Sequence, residues 1–154
     1  MLPNPLHPAV VHFPIVLALL LPLFVGGALW QIRRGVSARR AWLLPTAMAA
    51  ALAGSGWVSV QTGDAQDEGV ERVVGKSPLE THEDLAEVFL SASVAMTLVA
   101  AAGFVTGKTG RVARVLTGVG SLALVGLVTR VGHTGGQLVY QHGAASAYTT
   151  AGGK

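Results

Sequence analysis

Five histidines are the residues of this sequence whose side chains best suit metal or haem chemistry. They stand in three short stretches, HPAVVH at 7–12, THED at 81–84 and GHTGGQLVYQHG at 132–143. Imidazole is a common ligand of transition metals and of haem iron. Cysteine is absent, which excludes disulfides, thiolate-ligated zinc, all-cysteine iron–sulfur clusters and covalent c-type haem attachment. Any metal chemistry must therefore use His, Asp, Glu or Met.

Long apolar segments must position these histidines. Charged residues make up 12% of the sequence, about half of their usual share in soluble proteins. Four segments, about 10–32, 41–63, 82–107 and 113–140, are each long enough to cross a hydrocarbon core of about 30 Å. The sequence therefore predicts an integral membrane protein with one four-helix transmembrane domain over residues 1–154.

Basic residues in two loops predict the topology. By the positive-inside rule, the loops after the first and third segments are cytoplasmic. Both termini then lie on the external, periplasmic side of a bacterial inner membrane, and short links favour an all-α, four-helix up-and-down bundle. The charges lie between apolar segments, which argues against nucleic acid as a partner. The basic residues of the two loops are Arg33, Arg34, Arg39 and Arg40, and Lys108, Arg111 and Arg114.

This topology places all five histidines at the external end of the bundle. His12 and His133 are the strongest candidate ligands, because an unpaired polar group within an apolar segment is costly. Gly132 and Gly136, on either side of His133, would make room for a flat macrocycle or for close helix packing. The external loop after the second segment is predicted to hold a short amphipathic helix around residues 70–74.

The other candidates have alternative roles. His7 precedes Pro8 and could cap the first helix, His82 could be a hydrated interfacial residue, and His142 could lie in a polar tail. Arg130 lies one turn deeper than His133, with Glu87 as its expected counter-ion or a haem propionate as the alternative.

Three stretches also carry a family resemblance. HPAVVHFPI at 7–15, THEDLA at 81–86 and GHTGGQLVYQHG at 132–143 resemble the recurrent motifs of a bacterial family of small predicted membrane proteins, domain-of-unknown-function family 2231. The similarity extends over essentially the whole chain. Family members sometimes appear joined to Rieske or cytochrome c domains, so the resemblance implies a redox setting without assigning a reaction.

The histidine pattern favours a membrane b-type cytochrome that binds one or two haem b groups and transfers electrons. We expect it to be an electron-transfer or binding protein rather than a stand-alone enzyme. Its partners would be membrane lipid and a membrane or periplasmic redox protein, and glycine-rich helix faces leave a homo-oligomer open. The candidate cofactor-binding residues are His7, His12, His82, His133, His142, Arg130 and Tyr140.

Two alternatives remain open at this point. A membrane protein that binds or transports a zinc or copper ion would need three histidines and a carboxylate. The three methionines form no cluster, which disfavours Cu(I). A structural subunit of a respiratory complex is the other alternative. The candidate metal ligands are His12, His82, His133 and His142.

Overall fold

A computed structural model describes residues 6–149, and within this range the chain is helical and contains no strand. Four helices are long and apolar enough to cross a membrane, which confirms the predicted all-helical class and its four spans. Three short helices, α1, α4 and α7, lie between or beside them. The bounds are α1 His7–Val10, α2 His12–Arg33, α3 Ala38–Asp64, α4 Asp67–Val74, α5 Lys76–Ala102, α6 Gly107–Tyr140 and α7 Ser146–Thr149.

The last two long helices begin earlier than the apolar pattern predicts. Helix α5 begins six residues before position 82, because the polar stretch at 76–81 is helical as well. Pro78 is tolerated there since the first-turn N–H groups have no partner within a helix, and Lys76 pairs with Glu80 at 3.4 Å. Helix α6 begins at Gly107, whose φ of 79° is the left-handed conformation that favours glycine.

The long helices form a closed ring in which each packs against two others. Helix α2 contacts α3 and α6, and α5 contacts the same two helices. Trp42 Nε1 donates to the Ala100 carbonyl oxygen at 2.8 Å, and Thr97 Oγ1 donates to the Ala49 carbonyl oxygen at 2.9 Å. Residue numbers rise on α3 as they fall on α5, so these helices are antiparallel. Helices adjacent in sequence are adjacent in space, as in an up-and-down bundle.

Apolar side chains lie both inside and outside this ring. Buried hydroxyl groups donate hydrogen bonds to backbone carbonyl oxygens of their own helices. Ser93, for example, donates to the Phe89 carbonyl oxygen at 2.7 Å. A helix that is apolar all round suits a lipid environment. The largest fully buried apolar side chains are Trp42, Leu21, Leu52, Leu124 and Val25, and large exposed ones include Phe13, Leu23, Leu98, Val119 and Leu122.

A small cap covers one end of the ring. The predicted amphipathic helix in the loop is confirmed as α4, whose Val70 and Val74 are buried against Leu79 and Leu138. Helix α7 packs against α4, and Tyr148 Oη donates to the side-chain oxygen of Gln66 at 2.9 Å. This cap, formed by α4 and residues 141–149, encloses the space below it.

Candidate functional site

A cavity of about 400 Å³ lies between the bundle and the cap. Its walls are mainly apolar, with Val60, Val70 and Leu138 among them. Two of the five histidines, His7 and His82, line it. Ligand sites in proteins are typically concave, mostly apolar and equipped with a few convergent polar groups, so this cavity is the candidate site.

His7 on α1 is held by the end of α3. Its Nδ1 lies 2.9 Å from the Ser59 carbonyl oxygen and 3.4 Å from Thr62 Oγ1. A carbonyl oxygen can only accept, so Nδ1 carries the proton, and Nε2 of the neutral ring keeps its lone pair. The ring also rests on Gly63, where an added Cβ would come within 3.3 Å of Cε1.

His82 on α5 is held in the same way by α6. Its Nδ1 lies 2.9 Å from Thr134 Oγ1, and the Thr134 hydroxyl donates to the Val131 carbonyl oxygen at 3.0 Å. The hydroxyl proton is therefore used, so Thr134 Oγ1 accepts a hydrogen bond from His82 Nδ1–H. Gly135 packs against this ring, where an added Cβ would come within 3.1 Å of Cε1.

The His7 and His82 rings lie close together in an edge-on arrangement. Their centroids are 6.4 Å apart and their planes are nearly perpendicular, at 87°. The hydrogen-bond distances found for both rings among residues 6–149 are to Nδ1. Metal-binding histidines usually donate their other N–H to a carbonyl, carboxylate or water. Two metal–nitrogen bonds of about 2.0–2.1 Å, with half a ring on each side, also give a centroid spacing of about 6 Å.

Acidic residues form part of the cavity lining. Asp64, Asp67, Glu83 and Glu87 contribute to the lining, which includes no Lys or Arg among the described residues. Glu83 Oε1 is buried, and it has no hydrogen-bond partner in the part of the chain that the structure describes. Burial raises the pKa of Asp67, and the contact with Glu83 acts in the opposite direction. Burial and the charge of Asp67 raise the pKa of Tyr148.

Residues 3–147 match the sequence model of the family described as "Predicted membrane protein (DUF2231)". The chain belongs to this family. The resemblance seen in its motifs is thereby confirmed, and the DUF2231 description names no activity. No curated protein and no solved structure matches the chain.

The remaining candidate residues of this DUF2231 chain lie away from the cavity. His12, His133 and His142 are exposed, as are Arg130 and Tyr140, and the exposed fraction of Tyr140 is 90%. None of the five lines the cavity. The described residues contain no group of three or more His, Asp or Glu that could hold a metal ion. The structure therefore brings together His7 and His82 and separates them from the other histidines.

Helical phase explains the position of His133. On α6, Val128, Val131 and Leu138 point inward, spaced three and seven residues apart, and Thr134 and Gly135 continue this face. Arg130 and His133 are three residues apart and share the outward face. The prediction of an ion pair between Arg130 and Glu87 is wrong. Among the described residues the ion pair that forms is between Lys76 and Glu80.

The glycines that make room for the histidine rings differ from those that the sequence indicated. An added Cβ at Gly132 or Gly136 would meet nothing within 4 Å, whereas Gly63 and Gly135 contact the His7 and His82 rings. The helical phase of α6 was the signal that could have identified Gly135, which lies seven residues after the inward-facing Val128.

Proposed function

We propose that this DUF2231 chain is a membrane electron-transfer protein that holds one haem b between His7 and His82. The observation that carries the proposal is the ring pair, with each ring anchored through Nδ1, at a centroid separation of 6.4 Å. Bis-histidine ligation of haem iron requires such a pair on facing helices. With both axial positions filled by protein, electron transfer is favoured over ligand chemistry at the iron.

The size and lining of the cavity support a flat organic cofactor. A bare ion needs no cavity of about 400 Å³, whereas a non-covalent macrocycle needs an apolar slot of several hundred Å³. The acidic lining residues, among them Asp67 and Glu83, would stabilise the more positive ferric state and so favour a low reduction potential.

The charges at the two ends of the bundle support a periplasmic site. The link between α2 and α3 is flanked by four arginines, at the end opposite to the cavity. The positive-inside rule then assigns that end to the cytoplasm of a bacterial cell and the cavity to the periplasmic side. The electron donor would be a membrane component and the acceptor a periplasmic or membrane redox protein.

A specific observation favours a second candidate function, binding of a divalent transition-metal ion. The Glu83 Oε1 atom is buried without a partner among residues 6–149, and it belongs to the residue next to His82. Two imidazoles and one carboxylate, completed by water, form a plausible zinc or copper site. Such an ion would need Glu83 to turn toward the ring pair, because the described residues contain no preformed group of three ligands.

The proposal is tested by visible spectroscopy on detergent-purified protein that has been titrated with haemin. We expect a Soret band and sharp α and β bands after reduction with dithionite, as low-spin bis-histidine haem gives. His7→Ala and His82→Ala should each abolish the sharp bands, and added imidazole should restore them by filling the vacated position. His133→Ala and His142→Ala, which change exposed histidines, are the matched controls and should behave like the wild type.

Two results would overturn the proposal. Loss of the bands in His133→Ala, with His7→Ala unaffected, would assign the ligand to the exposed face of α6. A protein that fails to take up haemin but retains stoichiometric zinc or copper, lost in Glu83→Gln, would establish the second candidate instead.

A further inference from the structure

Charge is strongly separated along the bundle. All eight Asp and Glu residues of the sequence lie between positions 64 and 87, at the capped end. Seven basic residues lie at the opposite end, around the links 34–37 and 103–106. The ion pair of the described residues, Lys76 with Glu80, is at the capped end. The counter-charge for the opposite end must therefore come from outside residues 6–149.

A groove at that basic end has both a polar and an apolar wall. It measures about 480 Å³ and is lined by Ser37, Arg39, Arg40, Leu43 and Phe104. Both arginines are exposed, and the exposed fraction of Leu43 is 60%. The Ser37 side chain makes no capping hydrogen bond to α3. The groove thus offers cationic and hydroxyl donors beside an apolar surface.

Neighbouring residues indicate that the groove lies at the level of the lipid headgroups. Trp30 near the end of α2 has an exposed fraction of 59%, and the Arg34 guanidinium lies 5.2 Å from the centroid of its ring. Exposed tryptophan with flanking basic residues is typical of the membrane–water interface. Arg114 takes no part, because it is buried and donates to the Gly103 carbonyl oxygen.

We infer that this groove binds one anionic phospholipid. Arg39, Arg40 and Ser37 donate hydrogen bonds to the phosphodiester and headgroup oxygens, and Leu43 and Phe104 contact an acyl chain. Guanidinium groups match phosphate oxygens in geometry as well as in charge. Basic pockets between transmembrane helices on the cytoplasmic side are known lipid headgroup sites. The apolar wall selects a lipid over a free phosphate ion.

Native mass spectrometry in neutral detergent tests this inference with phosphatidylglycerol as the probe and phosphatidylcholine as the uncharged comparison. We expect wild-type protein to retain one phosphatidylglycerol in preference to phosphatidylcholine. Each basic residue near an anionic lipid contributes a factor of about five in affinity, so Arg39→Gln/Arg40→Gln should bind about 25-fold more weakly. The matched control is Lys108→Gln/Arg111→Gln, which removes the same charge at the same end outside the groove and should bind nearly as the wild type.

Glycerol phosphate, added as a competitor, separates the lipid from its headgroup. Failure to displace the lipid at equal concentration supports the role of Leu43 and Phe104, and Leu43→Asn should then weaken lipid retention. Equal displacement by glycerol phosphate would overturn the lipid assignment. Equal weakening in both double variants would mean diffuse surface charge and would overturn the groove. Neither outcome depends on haem, so this test and that of the proposed function fail independently.

Discussion

Replacing Gly135 by alanine is expected to displace the His82 ring. The added Cβ would lie 3.1 Å from His82 Cε1, and ordinary contacts begin at 3.4 Å, so the ring must withdraw by at least 0.3 Å. Overpacking a well-packed site costs about 1–3 kcal/mol. Alanine also gains about 0.5–1 kcal/mol over glycine in a helix interior, so the net change in unfolding free energy lies between zero and a loss of about 2.5 kcal/mol.

The control variant Gly136→Ala separates the steric contact with the His82 ring from the higher helix propensity of alanine. Position 136 is the next residue of the same helix, and an added Cβ there meets nothing within 4 Å. Both variants share the gain in helix propensity, so their difference measures the ring contact alone. Unfolding in sodium dodecyl sulfate, followed by circular dichroism, should place Gly135→Ala about 1–3 kcal/mol below Gly136→Ala.

Haemin binding by the Gly135→Ala and Gly136→Ala variants is a second measurement, and its interpretation rests on the proposed function. Surrounding groups orient a ligating histidine, and the added Cβ would displace the His82 ring by at least 0.3 Å. Gly135→Ala should therefore bind haemin about 10–100-fold more weakly, the range seen when ligand orientation is disturbed. Equal stability of the Gly135 and Gly136 variants would refute the packing argument. Unequal stability with identical spectra would refute only the ligand role.

Three further predictions concern single side chains. Thr134→Val removes the acceptor of the His82 Nδ1–H bond, and we expect about 10–100-fold weaker haemin binding in an absorbance titration. Trp42→Phe loses the 2.8 Å bond to the Ala100 carbonyl oxygen, which still accepts from the Gly103 N–H, so the unfolding free energy should fall by about 0.5–1.5 kcal/mol. Burial raises the pKa of Asp67 above its ordinary value of 3.8, so the folded state holds this proton more tightly than the unfolded state does. Stability should then fall as pH rises from below 3.8 through the folded pKa, and detergent unfolding curves between pH 3 and 7 should show a smaller fall in Asp67→Asn.

The architecture was predictable because lipid leaves few choices for an apolar chain. Four segments of sufficient length and low charge can only be helices or strands of a closed barrel, and their lengths select helices. The bounds were less predictable, since helix α5 begins within a polar stretch at Lys76 that hydropathy alone assigns to a loop. A pair such as Lys76 and Glu80 stabilises a helical turn outside the hydrocarbon core, where apolar counting gives no signal.

Depth along the membrane was a good guide to which histidines share one end and a poor guide to which share a cavity. His133 and Gly135 are two residues apart at nearly the same depth, yet about 200° apart around the helix axis. One is exposed and the other contacts His82. The partners of the rings were also hidden from the sequence. A backbone carbonyl such as that of Ser59 carries no side-chain signature, and only the packing of α1 on α3 brings it to His7.

The ring pair has a consequence for the biogenesis of the protein. His7 and Ser59 enter the membrane with the first and second spans, His82 with the third, and Thr134 only with the fourth. A nascent chain that has emerged as far as α5 carries both histidines. The His82 ring then still lacks its hydrogen-bond acceptor, Thr134 Oγ1, and its packing contact with Gly135, because both residues are on α6. Under the proposed function, haem would therefore be loaded after insertion of the last helix, as a maturation step that follows synthesis.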